Sequence, residues 1–129
     1  MASGLPAATG DVLTAATVNG LVAFTVNTAQ TADYTAVLND QYQTITPINK
    51  ATAIAFKIPT NASVAFPVGT CLTVLNVGAG TCTISAVTSG TTTVLSAGAV
   101  AASPTLAQYK SAACIKTATD TWYVIGGIA

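Results

Sequence analysis

Between Lys57 and Lys110 the chain carries no charged side chain. Pro, Gly, Asn and Thr-rich runs such as TSGTTT interrupt that stretch every few residues. A membrane-spanning helix needs about 20 consecutive apolar residues, so the segment cannot supply one. Short runs of Val, Ile, Thr and aromatics divided by turn residues at intervals of about 8 to 12 are instead the pattern of a β-sandwich or barrel.

The rest of the chain is scarcely more charged. Asp, Glu, Lys and Arg make up 6% of the 129 residues, against about 25% in an ordinary soluble domain. The charges are Asp11, Asp33, Asp40 and Asp120 against Lys50, Lys57, Lys110 and Lys116, for a net charge of zero. The surface is therefore built from Thr, Ser, Asn, Gln, Ala and Gly. A neutral, weakly polar surface of this kind promotes association, so much of it is expected to be covered by partners. Four scattered lysines make no basic stripe, which argues against nucleic acid and against an anionic membrane surface. The opening MASGLPAATGD has no basic region followed by an apolar run, so it does not read as a secretory signal, and synthesis in a cytoplasm is expected.

The length suits one domain. Residues 1–24 read as an N-terminal docking arm and residues 25–129 as a β domain. In the arm, Thr14 can cap a short helix through Ala15–Val18 that Gly20 would end. One or two turns cannot stand alone in water, so the arm must dock on something. Candidate strands are 24–27, 42–46, 52–58, 71–77, 81–87, 92–96, 109–116 and 121–125, with a helical turn at 36–40. The fold class expected is all-β: a compact β-sandwich or jelly-roll-like domain of about eight short strands behind an extended arm.

Two hairpins are signalled. CLTVLNV, Gly78-Ala79-Gly80 and TCTISAV read as one. Symmetric pairing about Ala79 puts Val77 opposite Thr81, and Cys71 and Cys82 on opposite faces. TATDTW reads as the turn of the other, with Asp120 bonding its own downstream backbone. Trp122, the only tryptophan, is expected to plug the core or a subunit seam, with a sugar-stacking platform as the alternative.

Chemistry is sparse. Without histidine there is no Ser-His-Asp or Cys-His machinery. A Ser-Lys pair, Lys57 with Ser63 or Lys110 with Ser111, lacks any nucleophile elbow. Asp33 and Asp40 lie in turn-like contexts where a solvated cap is the ordinary role, and no acidic cluster offers a calcium site. Cys71, Cys82 and Cys114 match no zinc or redox spacing and read as small buried hydrophobes, a disulfide being the alternative. Asn61-Ala62-Ser63 fits the N-glycosylation pattern and reads as a polar loop. No catalytic residue, cofactor or metal is expected.

The runs IPTNASVAFPVGTCLTVLNVGAGTCTISA and LAQYKSAACIKTATDTWYVIGG resemble the small β modules of tailed-bacteriophage virion proteins, found in fibres and capsid-associated proteins. The likeness covers residues 31–129, and TGDVLTAATVNGL resembles the leading segment that attaches fibre-type proteins to the particle. The chain departs from a long fibre in having no repeats, coiled coil or shaft. The resemblance implies a virion component made in the host bacterial cytoplasm, as a homotrimer. It would be a decoration (cement) protein on the outer capsid surface, bound to the major capsid protein, or alternatively a short head or tail fibre that binds a host receptor. A free lectin-like module is the third class. On this reading Leu13, Val18, Leu21 and Val22 anchor the arm, and the loop of Val64, Phe66, Pro67 and Val68 contacts a neighbouring subunit or the capsid.

Overall fold

The computed structural model describes residues 24–41, 44–96 and 104–128. The expected arm, with Leu13, Val18, Leu21, Val22 and its short helix, lies outside the described residues. The fold is all-β, as the turn spacing predicts, with a 3-10 turn at Leu38–Gln41 near the expected helical turn.

Ten strands are described: β1 Thr25–Val26, β2 Tyr34–Thr35, β3 Thr44–Ile48, β4 Ile54–Ile58, β5 Cys71–Asn76, β6 Cys82–Ala86, β7 Thr93–Ser96, β8 Thr105–Leu106, β9 Ser111–Ala118 and β10 Thr121–Gly126. The two-residue strands β2 and β8 are too short to leave an alternation in the sequence. A six-stranded sheet has the order β1-β3-β5-β9-β10-β7, and a four-stranded sheet the order β2-β4-β6-β8. The strands carry alternating burial, as in β4 and β5, so each sheet turns one set of side chains toward a shared core.

Up to β6 the chain alternates between the sheets, passing through the large one and then the small one three times. Equivalent strands of successive crossings pair in parallel: β1 with β3, β3 with β5, β2 with β4, and β4 with β6. The first two thirds of the domain is thus a stack of three rungs. From the second rung to the third, both sheets keep one register: Ile45 pairs with Thr73 and Ile54 with Cys82. This structural repeat is invisible in the sequence because the paired positions share a face but not an identity. The antiparallel strands β9, β10 and β8 then close the stack, with β7 parallel to β10 at the far edge.

The 71–87 hairpin expected from Gly78-Ala79-Gly80 does not form. The two strands belong to different sheets, so Val77 does not pair with Thr81, and the facing of Cys71 and Cys82 follows from their separate sheets. The turn instead carries the chain across the roughly 10 Å between layers and lies flat on the corresponding turn of the rung before it. Ile48 accepts from the amides of Val77 and Gly78, and Lys50 from that of Gly80. A Cβ on Gly78 would come within 2.3 Å of the Lys50 backbone, and one on Gly80 within 1.9 Å of the Thr52 carbonyl oxygen. Glycine is therefore required here by close backbone approach. Asn76, fully buried, holds the turn: its Nδ2 donates to the carbonyls of Gly80 and Leu106, both at 2.8 Å, and its Oδ1 accepts from the Gly78 amide at 3.1 Å.

The core between the sheets contains Ile48, Ile54, Phe56, Ile58, Leu72, Val74, Ile84, Leu106, Cys82, Cys114, Trp122 and Val124. The C-terminal hairpin forms as expected, with Asp120 in the left-handed region at φ 56° and a register shift beside it at Thr121/Trp122. Its carboxylate is not turned on its own downstream backbone. Asp120 Oδ1 accepts from the Asn61 amide at 2.7 Å and from Thr92 Oγ1 at 3.1 Å, tying the hairpin tip to two distant loops.

Candidate functional site

Alternation along the strands gives the two sheets very different outer faces. On the large sheet, strand pairing aligns Ile45, Thr73, Ala113 and Ile125 in one row and Cys71, Ile115, Tyr123 and Leu95 in the next. Neither row contains a charge, and Tyr123 and Ile125 are 45% and 54% exposed. The outer face of the small sheet aligns Thr35, Lys57 and Ser85, and beside them Ala55, Thr83 and Thr105. One face is thus apolar and the other has the hydroxyl- and lysine-bearing character of a solvated surface. Five inter-strand spacings by about five residues make the large face roughly 24 by 17 Å.

At the foot of this face, beside the start of β5, lies an open groove of about 480 Å³, lined among others by Phe24, Pro67, Val68, Thr70, Cys71 and Thr73. Phe24 and Val68 are 57% and 64% exposed. The groove extends the apolar surface toward the first rung, where Val26, Val37 and Leu38 are also exposed. β1 and β2 are the end strands of their sheets among the described residues.

The 64–68 loop is divided between core and surface. Phe66 is buried against Trp122, ring centroids 5.6 Å apart and planes at 89°, so its ring is not available to a neighbour. Val64 packs on the core. Pro67 and Val68 alone of the four face outward, at the groove. Trp122 is 1% exposed, a core plug and not a sugar platform, which removes the main support for a lectin-like module.

Beneath that aromatic pair is a polar cluster the sequence reading missed. Lys116 is 2% exposed, and its Nζ donates to Asn61 Oδ1 at 2.6 Å and to the Phe66 carbonyl at 2.7 Å, 6.0 Å from the centre of the Trp122 ring. The signal was available: Lys116 follows Ala112 and Cys114 at a spacing of two on β9, the inward set. Asn61 does lie in a loop turn, with its side-chain oxygen taken by Lys116 and its backbone by Asp120.

Asp40 also departs from expectation. It is 3% exposed, not a solvated cap. Its Oδ1 accepts from Asn27 Nδ2 at 2.9 Å, and its Oδ2 from the Tyr34 hydroxyl at 2.7 Å and the Val37 amide at 3.0 Å. Burial, and then this hydrogen bond and the carboxylate's charge, push the Tyr34 phenol well above its ordinary range. Asp33 is exposed and accepts from the Ala55 amide at the edge of β4.

The three cysteines are free, Cys71 exposed and Cys82 and Cys114 buried, so the small-hydrophobe reading fits two of them. Burial raises the Cys82 thiol to about 11, partly offset by a backbone hydrogen bond at Phe56, and pushes Cys114 higher still. Thiols so placed are inert packing groups. Among the described residues no cluster of three His, Cys, Asp or Glu could hold a metal ion, and no helix is long and apolar enough to cross a membrane. The chain matches no known protein-family model, curated protein or solved structure.

Proposed function

We propose that the protein is a structural component of a bacteriophage virion, a decoration protein that packs as an oligomer on the outer capsid surface and stabilises the lattice. The observation that carries this reading is the contrast between the faces: the large sheet turns a charge-free apolar surface outward while the small sheet keeps a polar one. An exposed apolar face of that kind marks a protein contact. Its plan area, on the order of 400 Å², is about half of what one partner contributes to a standard interface. The groove and the exposed apolar side chains of the first rung supply further area next to it. The resemblance of residues 31–129 to phage virion modules names the assembly, with copies of this chain and the major capsid protein as partners.

A short head or tail fibre is the second reading. The parallel rungs favour it, because a stack of this kind is an architecture that further rungs can extend.

Quantitative mass spectrometry of purified particles separates the two. A copy number comparable to the major capsid protein supports decoration, and a handful per particle moves the protein to a fibre or tail. Binding to particles stripped of this protein tests the face: Ile125→Asp should abolish it and Thr83→Asp, on the small sheet, should not. The reverse pattern would assign docking to the wrong side.

A further inference from the structure

We propose that Lys116 and Asn61 are the two halves of an intramolecular isopeptide crosslink. The reaction joins Lys116 Nζ to Asn61 Cγ and expels the side-chain nitrogen of Asn61 as ammonium. One C–N bond forms and one breaks. From the ammonium form Nζ gives up two protons, one to free its lone pair and one as the amide forms; both leave with the Asn61 side-chain nitrogen as ammonium, so charge balances and no oxidant or co-reactant is needed.

The geometry is that of reactants already in contact. With Nζ 2.6 Å from Asn61 Oδ1, the carbonyl carbon one C=O bond further on is on the order of 3–4 Å away, the range of a near-attack arrangement. Once Nζ has lost its first proton, rotation about the Cε–Nζ bond turns the freed lone pair to that carbon without moving either backbone. Both partners are held. Lys116 is on β9, paired with Trp122 of β10, and the backbone of Asn61 is clamped by the Asp120 carboxylate at 2.7 Å. Phe66 and Trp122 wall the site on one side and Lys116 is 2% exposed, so Nζ itself is shielded from water, while Asn61 is half-buried.

The second argument concerns why a lysine is there. Both oxygens that Nζ meets, the Asn61 amide and the Phe66 carbonyl, are neutral. A buried ammonium that faces only neutral oxygens is a poor use of a core position. The amide product removes the charge and keeps one N–H, which remains directed at the Phe66 carbonyl. The bond closes a loop of 55 residues, stapling the connection between β4 and β5 to the closing hairpin. For a shell or fibre component that is mechanical reinforcement, but the crosslink does not rest on that reading.

The test is the intact mass of the purified full chain, incubated for days near neutral and mildly alkaline pH. The expected result is a mass about 17 Da below that of the sequence, one ammonia lost. Digestion with trypsin should then give a branched product in which residues 58–110 are joined to 111–129, Lys116 being blocked to the protease. Lys116→Arg should restore the full mass. A wild-type chain that keeps its full mass throughout overturns the proposal. So does a loss of ammonia that persists in Lys116→Arg, which would place it in a succinimide at Asn61. If Lys116→Arg fails to fold, the branched peptide of the wild type decides alone, and its absence is negative.

Discussion

Phe66 and Trp122 meet edge to face, centroids 5.6 Å apart, although one lies in a loop after β4 and the other in the last strand. The contact locks the 59–70 connection onto the closing hairpin, directly above the buried Lys116. Each ring is nearly or fully buried, so Trp122→Ala should cost about 3–5 kcal/mol and Phe66→Ala about as much. The double variant should lose less than the two together, by about 1 kcal/mol, the coupling of an aromatic pair. Urea unfolding of the four proteins measures this. Strict additivity would mean the rings do not stabilise one another.

The stacked turns make a sharper prediction. Gly80→Ala places a methyl group against the Thr52 backbone, which cannot move aside without disturbing the second rung. The expected loss is about 3 kcal/mol, at the upper end for overpacking. Gly90→Ala is the control: its φ of +89° strains a side chain, but nothing lies within 4 Å, so about 1–2 kcal/mol is expected. Thermal melts that rank the two in the opposite order would contradict the rung-on-rung contact.

Asp40 holds the first rung. Asp40→Ala leaves the Tyr34 hydroxyl, the Asn27 amide and the Val37 N–H without their acceptor, and about 3 kcal/mol or more should be lost. Tyr34→Phe removes one donor of the three and should cost about 1 kcal/mol. Hydrogen exchange in Asp40→Ala should rise first across residues 24–41. Uniform loosening of the whole domain would show that the rung is not a separate unit.

Alkaline pH should weaken the fold. Cys82 titrates in the folded state at about 11, above its ordinary value of 9.0, and Cys114 and Tyr34 are raised in the same direction by burial. A raised folded value means that the folded state holds its proton longer than the unfolded state. The stabilisation is therefore complete below the unfolded value and is lost as pH rises from about 9 through 11. Melting temperature should fall across that window, and less steeply in Cys82→Ala. A flat profile would show that these groups reach solvent in the folded state.

Period-two alternation and turn punctuation made the all-β class, most strand positions and the closing hairpin readable from the residues alone. These properties are local: a strand's faces and a tight turn depend on neighbours a few positions away. The fate of Gly78-Ala79-Gly80 does not. The same three residues serve a hairpin within one sheet or a crossing between two, and the backbone of Lys50 and Thr52, a whole rung earlier, selects the crossing. Parity marked Lys116 as inward, but its acceptors come from 50 and 55 residues away, so only the assembled fold shows that a buried lysine is tolerable there. Likewise Asp40 looks like a surface cap until Asn27 and Tyr34 close over it. The sequence by itself determined the kind of secondary structure and the faces of its strands. Tertiary structure decided which strands pair, which polar groups are buried together, and which sheet presents an apolar face outward, because each of these depends on contacts between residues far apart in the chain.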